Sequence, residues 1–128
     1  MSKLLVGIHE NRSAFSPGDT IRGAVLWQLD RAPRHAEVNL LWFTRGKGTV
    51  DSAIVLSLPF DQPEASDTRT FEWIAPGEPY SFSGKLIALI WAVELVLNGG
   101  KLRKRTEIII APRGQEILLG DVAKPLKV

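Results

Sequence analysis

Residues 75–98 read APGEPYSFSGKLIALIWAVELVLN, and the class assigned to the apolar half of that stretch decides the fold. Residues 86–97 carry a single charge, Glu94. Twelve residues fall short of the roughly 20 that a bilayer-spanning helix needs. By propensity alone, Leu, Ala and Glu make the run an acceptable helix. Its surroundings favour a strand. The run ends in Asn98-Gly99-Gly100, a strong hairpin signal, and the β-branched segment TEIII at 106–110 follows. The odd positions from Ile87 to Leu97 are wholly apolar and the even ones nearly so. That pattern belongs to a central strand covered on both faces.

Alternation extends outward from this strand. Ile21, Gly23, Val25, Trp27 and Leu29 share one phase behind the turn sequence SPGD at 16–19. Ala36, Val38, Leu40 and Trp42 form a second stripe, and Ile54, Leu56, Leu58 and Phe60 a third. Shorter stripes are Leu4, Val6 and Ile8, and Phe71 with Trp73. Seven strand-like segments separated by Gly, Pro, Asp and Ser predict an all-β, immunoglobulin-like sandwich of two antiparallel sheets. Trp27, Trp42, Trp73 and Trp91 all fall on the apolar phase, so they are expected in or bordering the core rather than on a sugar-binding platform.

A chain of 128 residues with 45% hydrophobic and 23% charged residues fits one globular domain. The expected division is a sandwich over 1–112 and a tail over 113–128 that packs on it or extends from it, with one apolar knot at Ile117, Leu118 and Leu119. The start, MSKLLVGIHE, lacks the features of a signal peptide, which predicts a soluble, cytoplasmic protein. With no cysteine, disulfides, thiolate metal sites and a cysteine nucleophile are excluded. The net charge of +2 has a local origin, since Lys101, Arg103, Lys104 and Arg105 lie within five residues.

Two motifs, in order, resemble the arrestin-like superfamily, which includes the arrestin-fold retromer subunit and bacterial sporulation-control proteins. The first is FSPGDTIRGAVLW at 15–27; the second is PYSFSGKLIALIWAVEL at 79–95. Their spacing is similar to that in the N-terminal sandwich of such proteins, so the resemblance spans about residues 3–112. It implies an arrestin-like fold and a non-enzymatic adaptor or regulator acting through sheet surfaces and loops. Arrestin-like proteins usually carry two sandwiches, and this sequence has room for one. No buried charged cluster like that of the receptor-binding arrestins can be matched, so phosphate-triggered activation is not implied.

No catalytic, cofactor or metal site is expected. His9 and His35 are the only histidines, and zinc needs three or four ligands. No nucleophile elbow occurs, and Ser81 and Ser83 belong to the strand-entry motif. Asp61, Glu64 and Asp67 lack calcium-loop order, which leaves a solvated loop. TRGKGT at 44–49 lacks the remainder of a phosphate-binding loop and reads as a hairpin tip. The segment KLRKR at 101–105 has two readings. It is a solvated hairpin arm that discourages edge pairing, or an anion contact made by Lys101, Arg103, Lys104 and Arg105. No aromatic interleaves it, which disfavours nucleic acid.

Apolar residues on the opposite phase carry the interaction prediction. Leu41 and Phe43 oppose the Val38–Leu40–Trp42 stripe, Leu26 opposes Trp27, and Leu86, Ala88, Ile90, Ala92 and Val96 oppose Trp91. If these segments adjoin, they form an outer apolar patch worth about 5–10 kcal/mol to cover. A homo-oligomer is therefore expected, with Leu41, Phe43, Leu86, Ala88, Ile90, Ala92 and Val96 between copies. The other possible covers are the tail and an unidentified protein partner.

Overall fold

The computed structural model describes residues 2–46, 50–84 and 86–118. In chain order its strands are β1 (Lys3–Ile8), β2 (Ala14–Phe15), β3 (Thr20–Gln28), β4 (Ala36–Gly46), β5 (Ser52–Pro59), β6 (Ser66–Ile74), β7 (Phe82–Ser83), β8 (Ile87–Leu97), β9 (Leu102–Ile110) and β10 (Ile117–Leu118). A three-stranded antiparallel sheet runs β1-β3-β6. The larger sheet is built on β8. Strand β4 pairs with β8 along its whole length, from Ala36 opposite Leu97 to Gly46 opposite Ile87. The other edge of β8 is shared: β7 pairs with Ala88 and Leu89, and β9 takes over from Trp91 to Leu97. Strand β5 lies outside β4, β10 runs parallel to β7, and β2 runs parallel to β9.

The deciding stretch is thus the central strand of an all-β sandwich. Leu89, Trp91, Val93, Leu95 and Leu97 enter a core shared with Ile21, Val25, Trp27, Val38, Leu40 and Phe71. Trp27 and Trp91 are fully buried, and each indole N–H is satisfied by a carbonyl: Glu64 at 2.7 Å and Pro79 at 2.8 Å. Trp42 and Trp73 border the same core.

The two motifs have local physical reasons. Gly18 sits at φ 90°, a left-handed conformation open to glycine. The Ser16 N–H donates to the Asp19 carboxylate at 2.8 Å, and the turn is tied to β6 by Gly18 N–H to Ala75 O at 2.9 Å. At Gly23 a Cβ would lie 2.0 Å from the Gly7 carbonyl, so β1 approaches β3 only because no side chain stands there. In the second motif, buried Ser81 accepts the Ile110 N–H on its hydroxyl at 3.0 Å and donates its own N–H to Ile110 O at 2.7 Å. This serine joins the β7 segment to the end of β9.

Three expectations need adjustment. The stripe assigned to β5 breaks at its start. Leu40 pairs with Leu56 but Leu41 pairs with Ile54, so Val55 is an extra residue. That bulge turns Ile54 to the outer face, while Leu56, Leu58 and Phe60 pack on the core. The last long strand starts at Leu102 rather than Thr106, so Arg103, Lys104 and Arg105 lie within β9, an arm of the β8–β9 hairpin, while Lys101 precedes it. Leu26 lies in the three-stranded sheet, apart from Leu41 and Phe43. In the tail, Ile117 donates its N–H to Ser81 O at 3.2 Å, placing β10 beside β7. Leu119, the remainder of the tail, and Gly48 of the hairpin tip lie outside the described residues. Among the described residues, no helix is long and apolar enough to cross a membrane.

Candidate interaction surfaces

Cross-strand register arranges the outer face of the larger sheet in rows. One row is Ser57, Asn39, Glu94 and Arg105, and the next is Ile54, Leu41, Ala92 and Glu107. Beyond it lie Ser52, Phe43 and Ile90. The strands place apolar and charged groups on one surface, and long side chains reconcile them. Arg105 Nε donates to Glu94 at 3.1 Å, while its guanidinium stands 4.5 Å from the Phe43 ring centroid. Glu94 and Phe43 are two rows apart, so Arg105 crosses the row of Leu41 and Ala92. Arg103 adds a second cation 3.5 Å from Glu94, and Arg45 pairs with Glu107 while also facing Phe43. These arginines cover apolar surface with their stems and keep charge paired at their tips.

This cover divides the seven residues expected between subunits. Leu41, Ala92 and Val96 are only 5%, 0% and 9% exposed within the single chain. Phe43, Ala88 and Ile90 are half-buried, and Leu86 is 64% exposed. Glu94 and Asn39, neighbours in register, are buried with them, and Asn39 Oδ1 has no hydrogen-bond partner among the described residues. Apolar surface remains toward the β4–β5 hairpin. Ile54 is 61% exposed there, alongside exposed Val50 and Val55. Among the described residues no strand pairs with the free edge of β5, whose eight residues carry no charge.

The four residues of the basic segment also separate. Arg103 and Arg105 are taken up by Glu94, while Lys104 is exposed. Lys101 stands at the opposite end of the sheet from the β4–β5 hairpin, beside a cleft of about 510 Å³ shared with Arg31, Arg34, His35, Asn98 and Gly99. Sequence reasoning missed Arg31 and Arg34. Their signal, RAPR at 31–34, is far from the NGG turn in the chain and meets it only because Ala36 pairs with Leu97.

The acidic loop before β6 is organised, not merely solvated. Asp67 accepts from Arg69 Nε at 3.1 Å and Nη2 at 3.0 Å, and from the backbone N–H groups of Glu64 and Thr68. The Arg69 hydrogen bond is the main reason its carboxyl is held below the ordinary range. Asp19 is likewise lowered, first by the Ser16 N–H and then by Arg12. His9 is half-exposed, 3.3 Å from Glu10. Among the described residues no group of three or more His, Asp or Glu is placed to hold a metal ion.

A two-sheet sandwich with these motifs at these positions is the arrestin-like fold. The solved structure of Spo0M, the sporulation control protein of Bacillus subtilis, superimposes with a TM-score of 0.60 at 18% identity. The match covers 86% of this chain and 49% of that one, so the chain spans about half the length of the protein it resembles. No family model and no curated protein sequence matches.

Proposed function

We propose that this chain is a non-enzymatic adaptor or regulatory module that works by protein contact and self-associates. The observation that carries the reading is the uncharged free edge of β5 with Ile54, Val55 and Val50 exposed beside it, continuous with Phe43 and Ile90. Such an edge adds a strand from a partner, and a two-fold axis lets one edge satisfy its own copy. The arrestin-like fold supports an adaptor role by analogy. Relative to the sequence-based interface, the contact shifts toward Ile54, Phe43, Ile90 and Leu86, because Leu41, Ala92 and Val96 are already covered.

Sedimentation of the purified chain tests this. The wild type is expected to sediment as a dimer or higher even oligomer, and Ile54→Asp or Ile90→Asp to dissociate it. A well-behaved wild-type monomer at high concentration would remove self-association and leave an unrelated partner strand as the occupant. The alternative, anion recognition through the whole segment 101–105, is weakened by the engagement of Arg103 and Arg105 with Glu94.

A further inference from the structure

Most arginines on the faces of this sandwich have a carboxylate. Arg12 pairs with Asp19, Arg45 with Glu107, Arg69 with Asp67, and Arg103 and Arg105 with Glu94. Among the described residues, Arg22, Arg31, Arg34 and Arg113 break this pattern, and two of them, Arg31 and Arg34, lie together with Lys101. None of these three has an ion-pair partner among the described residues, although all three line one cleft. Asp30, the acid adjacent in sequence, is itself partnered.

The cleft walls are held in place. Asn98 has a left-handed φ of 53°; its N–H donates to His35 O at 2.9 Å, and its Oδ1 accepts the Arg34 N–H at 2.8 Å. One residue therefore staples the β8–β9 turn to the β3–β4 loop. Pro33, between the two arginines, is buried and anchors the loop to the body of the domain. Three cations gathered in one concavity repel one another, and no Asp or Glu is among the described residues that line it. A bound anion would offset the repulsion.

We propose that this cleft, at the Asn98 end of the sandwich, binds a small anion carrying two or more phosphoryl charges. Two guanidiniums and an ammonium suit phosphoryl oxygens, since arginine engages them with paired N–H donors. The volume, about 510 Å³, is that of a small-molecule site. Its lining residues include no Phe, Tyr or Trp and a single imidazole, His35, so recognition rests on the phosphoryl groups rather than on a stacked base. The proposal is independent of self-association, because the cleft lies at the other end of the sheet from Ile54 and Phe43.

Calorimetric titration with inorganic pyrophosphate at low salt is the test. Saturable binding is expected, with a Kd on the order of 100 µM or tighter. Arg31→Ala and Arg34→Ala should each weaken it about tenfold, and Arg105→Ala should leave it unchanged. Asn98→Ala, which keeps every charge, should weaken binding by loosening the staple. Circular dichroism confirms that each variant is folded. Flotation with vesicles of anionic phospholipid separates the sources. Capture lost in Arg34→Ala assigns the anion to a lipid headgroup, while pyrophosphate binding without capture assigns it to a soluble ligand. No saturable heat at millimolar pyrophosphate, or equal weakening by Arg34→Ala and Lys104→Glu, overturns the proposal.

Discussion

Lys101 and Arg103 are two residues apart, yet they belong to different electrostatic settings. Arg103 and Arg105 project over the outer face of the larger sheet, where they share Glu94 and Phe43 receives the Arg105 guanidinium. Lys101 precedes β9 and joins Arg31 and Arg34 at the end of the sandwich, with no ion-pair partner among the described residues. On the sheet face, positive charge completes the packing of the domain. At the end cleft it is left over. A basic run is therefore not one feature: its parts act according to the carboxylates the fold brings within reach.

The largest expected effect comes from removing the shared acid on the sheet face. Glu94→Ala leaves two guanidiniums without a partner above a buried row, and should lower unfolding stability by about 2–3 kcal/mol in urea titration. Glu94→Gln, which keeps the shape, should lose less. If Glu94→Ala is neutral, the arginine cover is ornamental and the contrast between the two regions collapses. Arg105→Ala removes one cation and the lid over Leu41 and Ala92, with an expected loss of about 1–2 kcal/mol and increased binding of a hydrophobic dye. Lys104→Glu, on the same strand but exposed, is the control and should stay within about 0.5 kcal/mol.

The smallest effect sharpens the comparison at a third site, the Asp67–Arg69 lock. Because the Asp67 carboxyl is held below its ordinary value in the folded chain, its contribution is fully present above the unfolded value of about 3.8. It is lost as the pH falls below that value toward the lower folded one. Melting temperature measured from pH 6 to pH 2.5 should fall more steeply for wild type than for Asp67→Asn, and the two curves should converge in acid. Parallel curves would show that the pairing adds nothing to the folded state.

Much of the fold could be read from local pattern. Period-two alternation, the SPGD turn and the NGG turn each express a backbone preference or the demand that one face of a strand be buried, and both act over a few residues. The apolar run 86–97 was legible as a central strand because both phases avoid charge. Ile54 was misplaced because the Val55 bulge is a property of the pairing with β4, and nothing in SAIVLSLP marks it.

For the candidate sites, the sequence by itself determined that the outer phase of β4 and β8 is apolar and that residues 101–105 are basic. Only the tertiary structure decided that these two features meet. The β8–β9 register sets Arg105 opposite Glu94, and the β4–β8 register brings Phe43 within its reach, so an expected docking patch and an expected anion site largely cover each other. The same registers join the 31–34 loop to Asn98, more than sixty residues away. Hydrophobic phase is encoded residue by residue; charge compensation depends on which side chains lie within a few ångströms, and distant segments come that close only through strand pairing.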